Sequence, residues 1–126
     1  MILCDTNILI HAFNGRVDTI EQLNKVGWSE IVLSSITVME LFQGMGNKNE
    51  LVQMKKKIQY YDIVQIDKPV SETAIEFIEK YKLSHGLQIP DAIIAATAIV
   101  HNRILITGDS DFKNINGLQV IDPYSL

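Results

Sequence analysis

Short, near-continuous apolar runs alternate with helical patterns along this chain, and that alternation constrains its fold more than any other feature. Strands buried on both faces read as unbroken apolar runs, and neighbouring parallel strands need a helical crossover between them. Ile2–Cys4 is such a run, and it stops at Asp5. The pattern then predicts a helix over Thr6–Phe13, capped by Asp5 or Thr6, and another over Val17–Val26, stopped by Gly27. A strand over 30–34 leads into a helix that Ser34 or Ser35 can cap. Its Val38, Leu41, Phe42 and Met45 recur at i, i+3, i+4 and i+7. A more polar helix over 48–61 and a strand over 63–66 follow. Pro69 suits the first turn of a helix running to 83, with Ile75, Ile78 and Tyr81 on its inner stripe. Pro90 opens a helix that is apolar almost all round and that Asn102 can end; strands over 103–107 and 118–121 complete the set. The expectation is an α/β fold: a three-layer α/β/α sandwich around a central parallel five-stranded sheet, with residues 1–126 as a single domain.

In such sheets ligands bind beyond the carboxyl ends of the strands, near the point where strand order reverses. Asp5 and Asp109 both end apolar runs, and Glu40 and Asp91 both lie early in helices that follow strands. Asp91 opens the most apolar helix of the chain, so its charge is dry unless it serves a site. A plainer account makes Asp5 and Asp91 helix caps that also favour the positive end of the helix dipole. Capping does not explain four acids converging on one end of a sheet. Clustered carboxylates raise one another's pKa unless a cation neutralises them. No Cys/His group with zinc spacing is present, so the candidate ligands are hard oxygens, which suit Mg²⁺ or Mn²⁺.

Composition limits the alternatives. Fifteen Asp plus Glu against eleven Lys plus Arg rule out a strongly basic nucleic-acid coat, yet setting the four acids aside leaves the remainder balanced. Hydrophobic residues make up 47% of the chain, which argues against disorder. The first apolar run is broken at Asp5, and the run from Ala92 to Val100 is far shorter than the roughly 20 residues that span a bilayer. A soluble cytoplasmic protein is expected.

Four segments together resemble the motifs of PIN-domain ribonucleases: Asp5-Thr6-Asn7-Ile8-Leu9-Ile10, then Ser35-Ile36-Thr37-Val38-Met39-Glu40-Leu41 with Gly44, then Pro90-Asp91-Ala92-Ile93-Ile94-Ala95-Ala96, and Thr107-Gly108-Asp109-Ser110-Asp111-Phe112. Each is weak alone. Their order, spacing and total length resemble the VapC toxins of prokaryotic toxin–antitoxin pairs. The resemblance implies a Mg²⁺- or Mn²⁺-dependent endoribonuclease with a PIN-like fold. It further implies an acidic site of Asp5, Glu40, Asp91 and Asp109, supported by Thr6 or Asn7 and by Thr107. Asp111 is left as an outer or water-mediated ligand, or a replacement for Asp109. Products with a 5′-phosphate and a 3′-hydroxyl, an RNA substrate such as tRNA, a homodimer and a small cognate antitoxin are further implications.

Other readings compete. A receiver domain needs adjacent acids after the first strand, and here Thr6 and Asn7 follow Asp5. A phosphatase with an aspartyl intermediate needs a second Asp two residues on, where Asn7 stands. A catalytically silent PIN-like module that only binds RNA or protein is the remaining alternative. Cys4 reads as an inert small hydrophobe, Phe112 as an anchor for its loop and Lys55-Lys56-Lys57 as a solvated helix face. His11, His85 and His101 share no spacing and read as surface or helix-end residues, while packing is expected of Trp28, Tyr60 and Tyr61 ahead of base stacking.

Overall fold

Leu3 and Cys4 are adjacent in sequence, face opposite sides of the sheet, and are both fully buried. That double burial is what an unbroken apolar strand demands, and it requires helices on both faces. In the computed structural model, which describes residues 1–125, the demand is met. Strands β1 (Ile2–Cys4), β2 (Ile31–Ser34), β3 (Asp62–Val64), β4 (Ile104–Ile106) and β5 (Val120–Ile121) form one parallel sheet. Their order is β3-β2-β1-β4-β5. Ile2 stands opposite Ile31 on one side and Ile104 on the other, so β1 is central.

Six α-helices are present among the described residues: α1 (Thr6–Phe13), α2 (Val17–Val26), α3 (Ser35–Gln43), α4 (Lys48–Ile58), α5 (Lys68–His85) and α6 (Ile89–Val100). Helices α5 and α6 cover the face that carries Leu3, Val32 and Leu105. Helices α1, α2 and α4, with Leu41 of α3, cover the face that carries Cys4, Leu33 and Ile106. The three-layer α/β/α arrangement expected from the alternation is therefore the one found. Ile94 of α6 has no exposed surface, and its replacement by Ala should cost about 2–5 kcal/mol through the cavity left behind.

Local chemistry sets the helix ends. The Ser34 hydroxyl accepts the Ile36 N–H at the start of α3, Asn47 accepts that of Glu50 at α4, and Asp67 accepts that of Val70 at α5. Gly86 closes α5 in the left-handed conformation, with φ +66°, that suits a residue without a Cβ.

Several boundaries differ from the expected ones. Residues Trp28–Glu30 form a 3-10 turn, so β2 begins at Ile31. Helix α4 ends at Ile58, and β3 runs over Asp62–Val64 rather than 63–66. Strands β4 and β5 are shorter than the apolar runs around them. Ile75 is a clearer departure: it is 65% exposed instead of facing inward. The stripe that α5 buries is Val70, Ala74 and Tyr81, with Phe77 and Ile78 partly covered, and Ile75 lies one residue round from it. Periodicity alone cannot choose between Ala74 and Ile75, because close packing of two helices favours the small residue at the contact.

The chain moves outward from β1 through β2 to β3, then returns to the other side of β1 for β4 and β5. Strand order reverses between β1 and β4, and the carboxyl ends of those two strands are where Asp5 and Asp109 lie. No helix among the described residues is long and apolar enough to cross a membrane.

Candidate metal centre

Asp5 is the last residue before α1, directly beyond β1, and only 4% exposed. Its backbone N–H bonds the Ile106 carbonyl of β4 at 3.0 Å, which locks the end of β1 against the neighbouring strand. Its side chain does not cap α1. Instead, Asp5 Oδ2 accepts the Thr107 hydroxyl at 2.7 Å, and the same Thr107 oxygen accepts the Asp109 N–H at 3.0 Å. One buried threonine beyond β4 therefore orients the carboxylate beyond β1 and the backbone that carries Asp109.

Glu40 is held in a parallel way. It lies in the second turn of α3, and its Oε1 accepts the Thr6 hydroxyl at 2.8 Å. The Thr6 and Thr37 hydroxyls are 3.0 Å apart, and Thr37 is fully buried. Each hydroxyl has one proton, so the arrangement that uses each once runs from Thr37 to Thr6 to Glu40. The α3 face shared by Thr37 and Glu40 is thus turned inward, toward α1, not to solvent.

Asp91 sits in the first turn of α6, half-buried, and Asp109 is half-buried beyond β4. Asp111 is exposed, yet one carboxylate oxygen from each of Asp91, Asp109 and Asp111 lies within 4.8 Å of the others. The residue left as an outer ligand on sequence grounds therefore stands in the same group as Asp109. Asp109 also accepts the Asp111 N–H at 2.9 Å, which folds the short 3-10 turn Ser110–Phe112 and returns Asp111 toward Asp91. Phe112 anchors that turn with no exposed surface.

The electrostatics follow from this crowding. Burial and then the negative charges of Asp5, Asp109, Glu40 and Asp111 push the Asp91 carboxyl up to about 7. Burial also raises the Asp5 pKa, against the opposing hydrogen bond from Thr107. Asp91 thus feels the other four carboxylates and Asp5 feels Asp109 and Glu40, although the close trio is Asp91, Asp109 and Asp111. The donors are all carboxylate oxygens, and the nearest thiol, Cys4, is sealed in the core with its pKa pushed up by burial. Such a set fits a hard divalent cation and does not fit zinc or copper.

Asn7 does not bond any of the acids. Its side chain is exposed and lines a pocket beside the centre with Asp5, His11, Gly108, Asp109 and Tyr124. His11, expected at the surface or at a helix end, lies in the last turn of α1 with Nδ1 2.6 Å from the Tyr124 hydroxyl. Tyr124 lies 15 residues beyond Asp109, outside the four motifs, and sequence pattern gave no sign of it. Trp28, Tyr60 and Tyr61 gather round Lys57 ahead of β2 and β3, at the opposite end of the sheet from the acids.

The PIN domain family model matches residues 2–118. No curated protein matches the chain. Among solved structures, a chain of a toxin–antitoxin complex from Klebsiella pneumoniae is 33% identical, with a TM-score of 0.83 and full coverage of both chains. A chain of FitAcB from Neisseria gonorrhoeae is 26% identical, with a TM-score of 0.82 and full coverage of both. One from VapBC2 of Rickettsia felis, bound to a promoter DNA fragment, is 26% identical with a TM-score of 0.75, covering 96% of this chain and 98% of that one. With its sheet order, its acidic centre and these likenesses together, the chain belongs to the PIN domain family, whose toxins are generally nucleases.

Proposed function

We propose that this protein is a metal-dependent endoribonuclease of the VapC type, a cytoplasmic single-domain toxin that hydrolyses RNA phosphodiester bonds. The observation that carries the reading is the meeting of Asp91, Asp109 and Asp111 at the point where strand order reverses, with Asp5 and Glu40 beside them. Asp5, Glu40, Asp91 and Asp109 are the residues assigned to hold Mg²⁺ or Mn²⁺, with Asp111 as an outer ligand. When bound there, the cation supplies a water of lowered pKa and shields phosphate charge.

The chain's own part is positional and electrostatic. Thr107 holds Asp5, and the Thr37–Thr6 pair holds Glu40, so two of the carboxylates need little reorganisation before cleavage. With its carboxyl raised to about 7, Asp91 is partly protonated at neutral pH in the metal-free protein, and a bound cation would favour the carboxylate form there. The test is direct. Purified protein incubated with a tRNA pool should release fragments bearing 5′-phosphates in Mn²⁺ or Mg²⁺ and none in EDTA. Intact RNA under both conditions would leave the silent binding module as the better account.

We further infer a small cognate antitoxin and a homodimer. Support comes from the relatives solved as toxin–antitoxin complexes and from an apolar groove along α3. Met39 is 56% exposed there, and with Val38 and Phe42 it lines a groove against Ile58 and Tyr61. An antitoxin arginine reaching the acids would replace the cation's charge. Co-expression with the neighbouring small gene should yield a complex and restore growth. Failure of both would remove the partner.

A further inference from the structure

Beside the acidic centre, and sharing Asp5 and Asp109 with it, lies a cavity of about 180 Å³. That is well below the roughly 300 Å³ at which pockets for drug-sized ligands begin, and suits one flat ring. Its remaining walls are built with care. Tyr124 folds back from beyond β5 and crosses Gly108, where a Cβ would lie 2.7 Å from two of its ring carbons. Only a residue without a side chain lets the ring lie there. The Tyr124 hydroxyl is 2.8 Å from Thr19 Oγ1 of α2 and 2.6 Å from His11 Nδ1 of α1. The Arg16 guanidinium lies 4.1 Å from the ring centroid. Four residues from three segments, His11 of α1, Arg16 and Thr19 at the start of α2, and Gly108 beyond β4, therefore fix one tyrosine at the rim of the cleft.

The hydrogen bonds leave polar groups free on the cavity side. Tyr124 engages His11 through Nδ1, so Nε2 is the ring nitrogen left for a ligand, a donor or an acceptor according to the tautomer. Among the described residues, neither Nε2 of His11 nor the Asn7 amide has a hydrogen-bond partner. A ring nitrogen held in one direction and an amide that both donates and accepts are the groups that read the edge of an unpaired base.

We propose that this cavity receives one nucleobase of the RNA strand next to the scissile phosphate, with Asn7 and His11 reading its edge and Tyr124 positioning His11. The inference rests on the nuclease reading for its substrate, and its test separates the two. The probes are the four neutral nucleosides, which carry no phosphate to be repelled by the acids, added to metal-free protein followed by NMR.

Saturable shifts at the Asn7 side-chain amide, His11 and Gly108, stronger for one base than for the others and lost in Asn7→Ala, support the subsite. Absence of shifts, or shifts elsewhere, overturns it whatever the protein does to RNA. In cleavage of a randomised short RNA, the base preference beside the cut should fall by about tenfold or more in Asn7→Ala and in His11→Ala. Tyr124→Phe keeps the ring and removes the bond that orients His11, so it should weaken the preference while the fold remains. Unchanged preference in all three variants would show that Tyr124 only straps the chain end to α1 and α2. A wild type that binds a nucleoside at Asn7 yet cuts no RNA would sink the nuclease reading alone.

Discussion

Asp67 and Asp5 occupy the same place in two helices, the extended residue just before the first turn, and use it differently. Asp67 turns its carboxylate to the Val70 N–H at 3.0 Å and caps α5. Asp5 gives up the cap of α1 and takes the Thr107 hydroxyl from the next strand. A lost cap costs about 1 kcal/mol, which α1 can bear because Ile8 and Leu9 are buried beneath it. Asp91 repeats the departure in the first turn of α6, where no side chain caps the helix. Local rules are followed at Ser34, Asn47 and Asp67, and Asp109 also caps its own short turn, whereas Asp5 spends its carboxylate on a bond across the sheet. A residue that gives up its local bond for a distant one does so where function is the competing demand.

Activity should divide the two aspartates most sharply. Asp5→Asn, Glu40→Gln and Asp91→Asn should each lower the initial rate of RNA cleavage by more than about 100-fold with the circular dichroism unchanged, while Asp67→Asn should cut at the wild-type rate. A cleaving Asp91→Asn would return Asp91 to the role of a cap. Thr107→Val should follow with a loss of about 10–100-fold, because it removes the group that orients Asp5 rather than a ligand. Asp109→Asn should cost more than Asp111→Asn in the same assay. Their shared grouping with Asp91 makes this a demanding comparison, and equal losses would remove the distinction between them.

Stability should divide the pair in the opposite sense. In urea unfolding of metal-free protein, Asp67→Ala should lose about 1 kcal/mol, whereas Asp91→Asn should lose nothing or gain. The dependence on pH is the subtlest expectation. The folded Asp91 carboxyl, raised to about 7 from 3.8, binds more proton than the unfolded chain between those values. Its contribution to stability is therefore fully present below about 4 and is lost as pH rises to about 7. Melting temperatures of wild type and Asp91→Asn should converge toward pH 4 and separate toward pH 8. A constant difference across that range would show that Asp91 keeps an ordinary pKa.

Much of this was legible in the chain itself, for definite reasons. Burial on both faces makes parallel strands unbroken in apolar residues, so their carboxyl ends, and Asp5 and Asp109 with them, can be found by reading alone. Glu40 was separable from the apolar stripe of its helix, although which way its face turned depended on the Thr6–Thr37 contact, made across 31 residues. Ile75 departs from the expected stripe because its neighbour Ala74 satisfies the same period and packs closer. Asp111 lies farther in sequence from the strand than Asp109, and the turn closed by Asp109 brings it back to the group. Tyr124 and His11 meet across 113 residues and belong to no periodic pattern, so nothing local announces their pocket.

The central claim, that these acids are a cation site rather than a set of caps, is tested most directly by thermal melts of wild type and Asp91→Asn with and without Mn²⁺ at pH 8. The wild type should gain about 2.7 kcal/mol when Mn²⁺ is present at a hundredfold excess over its dissociation constant, and Asp91→Asn should gain clearly less at the same concentration. A wild type whose melting temperature ignores both Mn²⁺ and Mg²⁺, together with an Asp91→Asn variant that is less stable by about 1 kcal/mol, is the result that capping predicts and that would contradict the account.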